Sequence, residues 1–165
     1  IELIKQIRHH FPASRILACA PSNTAADICV ERLSDIPPSE MMRYNAWSRS
    51  FSEVSTQVRN YTTLAGESYP VGGFPPPSLS TLLQKHVVVA TCNTAAKLHN
   101  LGVPRGHFEF IIIGEAGHAW EPEAVAAVCC LLDTLRRPTP FQAKTTVACD
   151  NQLVLAGDPQ PLGPI

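Results

Sequence analysis

The sequence is short of charge, of paired cysteines and of long apolar runs, and each shortage removes a class of function. Only 16% of the 165 residues are Asp, Glu, Lys or Arg, and the formal net charge is −1. No overall basic excess draws the chain to nucleic acid, so any such surface must be local or lie on parts of a longer protein outside this sequence. No run of about eighteen apolar residues occurs, and no membrane span or membrane partner is expected. The cysteines Cys19, Cys29, Cys92, Cys129, Cys130 and Cys149 form no Cys-x-x-Cys pair. Zinc is therefore not expected, and the thiols are read as reduced core groups, with Cys129 and Cys130 a core pair. There is no secretory signal pattern, internal repeat or low-complexity tract, and an intracellular protein is expected.

What is present is enough apolar material for a core. At 45% apolar residues the chain should be globular and form one domain. Ile1, Ile4, Ile7 and Phe11 recur at helical spacing, and Pro12 ends that helix. A short strand over 15–20 is followed by the turn Pro21-Ser22-Asn23. Ser22 or Asn23 can cap the next helix, over 24–33, whose candidate core positions are Ala26, Ile28, Cys29 and Leu33. Residues 34–80 are the least regular stretch, read as a peripheral insertion with a short strand within 41–47 and a helix within 51–61. Helix, β-branched strand and helix then follow over 79–85, 86–91 and 95–101. A last strand covers 152–156. Strands alternating with helices imply an α/β fold with a parallel sheet and right-handed crossovers.

The stretch Phe110-Ile111-Ile112-Ile113-Gly114-Glu115 organises this pattern. An apolar run, a small residue and then an acid describe a buried strand that delivers a carboxylate to its C-terminal edge. Ligands bind at that edge in open α/β sheets. An acid there commonly holds Mg²⁺ on a nucleotide or polarises a water. After it, Glu121-Pro122-Glu123 opens a helix through 125–135, with Pro and early acids placed as a helix start favours.

Four blocks carry a family resemblance. Leu17 to Asp27 (Leu-Ala-Cys-Ala-Pro-Ser-Asn-Thr-Ala-Ala-Asp) looks like motif Ia of superfamily 1 helicases of the nonsense-mediated-decay type. Val89 to Ala95 looks like the family's following strand-turn RNA contact. Ile113 to Glu123 resembles motif II, and Leu155 to Pro164 resembles motif III. Ala-Cys-Ala-Pro-Ser-Asn, Gly-Val-Pro-Arg-Gly-His-Phe and Glu-Ala-Gly-His-Ala-Trp-Glu-Pro-Glu resemble the Armitage-like branch, the helicases of RNA silencing and retroelement control. The likeness spans nearly all the chain outside 34–80.

The resemblance implies a RecA-like parallel sheet flanked by helices, a truncated P-loop NTPase fold, over 1–165. It implies ATP and Mg²⁺ as cofactors of an intact parent, single-stranded RNA as partner alongside silencing-complex proteins, and a cytoplasmic setting that includes RNA granules. By resemblance Glu115 is catalytic, orienting the attacking water, and Gly157, Asp158 and Gln160 join it around the nucleotide. Pro21, Ser22, Asn23 and Thr24, with Thr91, Cys92 and Asn93, would contact RNA through strand-end turns suited to a phosphate. No metal ligand is assigned, because Gly114 replaces the expected Asp; likewise Pro161 stands where the family has Gln. Each lies one base change from the family letter, which leaves a damaged copy and a true pseudo-ATPase both open. The Gly-x-x-x-x-Gly-Lys-Ser/Thr loop and the second RecA-like domain are absent, and both absences are read as truncation.

Plainer readings stand beside these. Arg43, Arg49 and Arg59 are expected on a solvated face, and Asp27 and Glu31 on a helix surface. His118 is expected to pack or cap the turn after the strand, and Trp120 to sit in a core or interface rather than stack on a base. The functional alternatives are a non-catalytic RNA- or protein-binding module of the same fold and a DNA helicase of the same superfamily.

Overall fold

The structure, a computed structural model, describes residues 1–63, 73–129, 131–132 and 151–158. Five strands, β1 (Ile16–Ala20), β2 (Met41–Tyr44), β3 (Val87–Thr91), β4 (Phe110–Ile113) and β5 (Gln152–Leu155), form one sheet in the order β2-β3-β1-β4-β5. Every pairing is parallel. Ala20 lies beside Thr91, Cys19 beside Ile113, and Ile113 beside Leu155. The C-terminal strand ends are thereby aligned along one edge.

Helices cover both faces, so the central strands are buried on both sides, as an all-parallel sheet requires. The two-residue strand period divides β1 between two cores. Ile16, Ala18 and Ala20 pack with α1 (Glu2–His10) and α2 (Asn23–Arg32). Leu17 and Cys19 face the opposite core, with Ala95 of α5 (Cys92–Ala95) and Ala127 of α6 (Glu121–Cys129).

Local signals explain the helix bounds. α1 buries Ile4 and Ile7, carries Glu2 in its first turn and Arg8, His9 and His10 in its last, matching the macrodipole, and stops before Pro12. Burying each isoleucine contributes about 2 kcal/mol. In α2, Ser22 Oγ accepts from the Ala25 N–H at 3.1 Å, the expected cap. The face turned inward is Ala26, Val30 and Leu33, each fully buried. Ile28, expected in the core, is 42% exposed. The i, i+4, i+7 phase of the docked face puts it on the other side of the helix.

The 34–80 stretch supplies the short strand expected within 41–47: β2, an edge strand buried along its length and paired with β3. The rest of it departs from expectation. The helix expected within 51–61 is broken into a 3-10 turn, Phe51–Glu53, and the one-turn α3 (Thr56–Arg59). The short α4 (Leu79–Leu83), capped by Ser78, leads into β3. Arg43 and Arg49, expected at the surface, are buried at 1% and 7% exposure. Asp27, also expected outside, accepts from Arg43 Nε at 3.0 Å and from Arg49 Nη2 at 2.5 Å. Arg59 donates to the Val54 carbonyl and lies over the Phe51 ring, 4.1 Å from its centroid. Glu31 accepts from the Ser55 hydroxyl. For Arg43 and Arg49 the physical reason is shared: buried guanidinium groups need acceptors, and Asp27 of α2 and nearby chain oxygens provide them.

Cys19 and Cys92 are buried free thiols, but Cys129 is exposed, against the core reading; Cys130 and Cys149 lie outside the described residues. Among the described residues no helix is long and apolar enough to cross a membrane.

Candidate functional site

The aligned strand ends carry the candidate residues on successive turns. After β4 the chain enters a left-handed turn at Glu115 (φ 53°, ψ 37°), the one non-glycine with positive φ among the described residues. A short 3-10 turn over Ala116–His118 follows, closed by the His118 N–H on the Glu115 carbonyl at 2.9 Å. Left-handed backbone at a residue with a side chain costs about 1 kcal/mol or more and persists where packing enforces it.

The packing that enforces it comes from the turn after β5. The Ala116 N–H donates to the Ala156 carbonyl at 2.9 Å, and the Ala156 N–H donates to Ile113 at 2.9 Å. Gly157 then lies against the acid's turn. A Cβ on Gly157 would sit 2.9 Å from Ala116 N and 3.1 Å from Gly117 N. Only a residue without a side chain permits this approach. Gly157 is thus brought to the Glu115 turn. Asp158 follows at the surface, and Gln160 and Pro161 lie outside the described residues.

The Glu115 carboxylate is 58% exposed, and its Oε2 stands 3.7 Å from His118 Nδ1. It faces a cleft of about 750 Å³ whose lining includes Ser22, Thr24, Ile28, Arg32, Gly114 and Gly157. The cleft lining thus includes the hydroxyl-bearing N-terminus of α2, at Ser22 and Thr24, and the Glu115 carboxylate. That arrangement can hold an anion near an acid able to orient a water.

Gly114 is not required by the backbone. Its amide donates to the Cys19 carbonyl at 2.8 Å, its φ is not positive, and a Cβ there would meet Cys19 O at 3.7 Å, an ordinary contact. The residues present do not fit a chain-held Mg²⁺. Position 114 offers no donor, and no group of three or more His, Cys, Asp or Glu side chains converges among the described residues.

The turns expected to contact RNA differ in what they expose. Pro21 and Ser22 are half-buried, and Asn23 and Thr24 are exposed. Asn23 Oδ1 accepts from Arg43 Nη2 at 3.0 Å, which fixes its orientation. After β3, Thr91 and Cys92 are buried. The Thr91 hydroxyl caps α5, accepting from the Thr94 N–H at 3.2 Å and bonding the Thr94 hydroxyl at 2.8 Å. Burial and then the nearby Glu123 charge push the Cys92 thiol up to about 11. Asn93 alone of the three faces outward, its Nδ2 donating to Glu123 Oε1 at 2.9 Å.

Sequence reasoning missed the charged cluster behind Asn23. Burial alone would raise the Asp27 pKa, but the Arg49 hydrogen bond and the Arg43 charge outweigh it and hold the carboxyl below its usual value. Asp27, Arg43 and Arg49 are far apart in sequence, and nothing local marks them as partners.

No family model matches the chain. It is 38% identical over its whole length to a Gallus gallus protein named helicase MOV-10, of which it covers 16%. It is 33% identical over its whole length to the Homo sapiens RNA helicase Mov10l1, covering 12% of that protein. It is 27% identical over 98% of its length to the Drosophila melanogaster protein named RNA helicase armi, covering 14%.

Proposed function

The chain matches a partial helicase domain of the Armitage-like branch, and on that premise we propose that it is part of the first motor domain of an ATP-dependent RNA helicase. Glu115 orients the water that attacks the terminal phosphate of ATP. The turn at Gly157 and Asp158 senses that phosphate. The turns at Pro21–Thr24 and Asn93 carry part of a single-stranded RNA track. RNA-mediated silencing, in the cytoplasm and its RNA granules, is the setting this reading carries, with silencing proteins as partners.

The observation that supports it most is the contact of Gly157 with the Glu115–Gly117 turn. Any shift of the phosphate-sensing turn must move the acid, because no side chain lies between them to absorb it. Thr91 and Cys92 serve by shaping their turn, since both are buried.

A second reading is favoured by Gly114: a catalytically degenerate RNA-binding module. A motor holds Mg²⁺ on its nucleotide with a strand-end carboxylate, and position 114 has none. ATP turnover by the full-length parent, with and without Glu115→Gln, separates the two. Turnover abolished by E115Q, with RNA affinity retained, is the outcome expected of the motor. RNA binding without turnover is the outcome expected of the module. The isolated 165-residue chain should hydrolyse no ATP in either case; turnover by it that E115Q removes would overturn that expectation.

A further inference from the structure

Trp47 is the most exposed of the large apolar side chains among the described residues, at 65%. A single exposed apolar residue ordinarily needs no explanation. This one sits on a turn whose bracing does. The Arg49 N–H closes the turn on the Ala46 carbonyl at 3.1 Å. The Arg49 side chain runs inward, donating to Asp27 and to Asn45 Oδ1 at 2.8 Å. Asp27 also holds Arg43, and Arg43 Nη2 reaches Asn23 while its Nη1 donates to the Tyr44 carbonyl at 2.7 Å. From the other side Gly73 closes on the turn: a Cβ there would come 2.5 Å from the Trp47 carbonyl oxygen.

Burying two guanidinium groups against one carboxylate carries a desolvation cost that an ordinary surface turn does not incur. Here the cluster has one geometric result. It fixes the Trp47 turn relative to Asn23 through a shared acid. The sheet order then sets where that turn stands. The turns after β2, β3 and β1 are neighbours along the C-terminal edge. At about 4.8 Å between strands, the β2 and β1 turns are separated by roughly 10 Å. A few nucleotides of single strand cover that span.

We propose that Trp47 is a stacking platform for an unpaired base of single-stranded RNA, extending the row of turns at Pro21–Thr24 and Asn93 to the edge strand. The inference rests on the RNA-track reading above and adds a contact to it. The chemistry is that of sequence-tolerant recognition. Every base offers a π-face, an indole with fixed backbone stacks with little ordering cost, and the neighbouring polar turns take the backbone. Stacking on an uncharged indole depends less on salt than a contact made through surface lysines.

The test is a fluorescence titration of the 165-residue chain carrying Trp120→Phe, so that Trp47 is its sole tryptophan, with single-stranded oligoadenylate. Saturable quenching of Trp47 emission is expected. In the otherwise native chain, Trp47→Ala should weaken oligoadenylate binding about tenfold, and Trp47→Phe should retain most of the affinity. The emission readout leaves the turn unmutated, so it stands even if the alanine variant folds poorly. Binding with Trp47 emission unmoved and W47A as tight as wild type would mean the indole meets a protein surface instead, and overturns the proposal. No binding of oligoadenylate by the wild-type chain overturns the RNA-track reading and this inference together.

Discussion

Asn93 Nδ2 donates to Glu123 Oε1 at 2.9 Å, tying the turn after β3 to the first turn of α6, the helix that follows the Glu115 loop. The residues are 30 positions apart, and the bond joins the outermost polar group of one turn to the other. Any strand passing Asn93 therefore also passes a carboxylate. Glu123→Gln keeps an acceptor for Asn93 and removes the charge. Stability should change by less than about 0.5 kcal/mol, as for a surface polar substitution. Affinity for single-stranded RNA should rise modestly and its salt dependence should shift. Unchanged affinity at low salt would place the RNA path away from Asn93.

Gly157→Ala should destabilise by about 1–3 kcal/mol, the range for forcing an extra methyl into a packed contact. The methyl would meet Ala116 N at 2.9 Å, and that atom is backbone already bonded to Ala156. Urea denaturation gives the loss. In the full-length parent the same change should lower ATP turnover more than RNA affinity, because it displaces the acid's turn and leaves the turns at Asn23 and Asn93 alone.

Glu115→Gly should act in the opposite direction on stability. With φ at 53°, the position favours glycine, and relieving a left-handed residue is worth up to about 1 kcal/mol. The melting temperature should rise slightly while the acid is lost. A fall in melting temperature would mean that the carboxylate and His118 hold the turn more firmly than their 3.7 Å separation indicates.

The strands were legible because buried parallel strands leave β-branched runs such as Val87–Val89 and Ile111–Ile113, and those runs need no tertiary information. The acid at Glu115 was legible as a strand-end residue, but its left-handed backbone was not. Nothing in a Glu signals positive φ, and the constraint comes from Gly157, far along the chain. The phase of α2 was misjudged at Ile28 because its inward face is chosen by the sheet it docks on. The Asp27–Arg43–Arg49 cluster was hidden for a different reason. Charged residues are surface residues by default, and only a folded arrangement reveals one acid serving two buried cations.

That cluster predicts an acid limb in stability. The folded pKa of Asp27 lies below its unfolded value of about 3.9. Its contribution is therefore complete above that value and is lost as pH falls through the lower, folded pKa. Asp27→Asn leaves two buried guanidinium groups without their counter-charge, which costs about 3–5 kcal/mol near neutral pH. The wild type should lose stability as pH falls below about 4, and the variant's curve should be flatter there. Parallel curves for the two proteins across that window would show that Asp27 does not titrate with folding.

Gly114 has ordinary backbone, and a Cβ there finds the Cys19 carbonyl oxygen at 3.7 Å, so Gly114→Asp meets no steric bar. Stability should stay within about 1 kcal/mol of wild type: glycine's greater freedom in the unfolded chain favours the variant, and a second carboxylate beside Glu115 opposes it. Two carboxylates at one strand end can share a divalent ion where one cannot hold it. Electron paramagnetic resonance with Mn²⁺ should show weak binding by G114D and none by the wild type. If the variant folds and binds no Mn²⁺, the edge lacks more than one ligand, and the degenerate-module reading gains over the motor. If it binds, a single side chain at position 114 decides whether this edge holds the ion, as the motor reading requires.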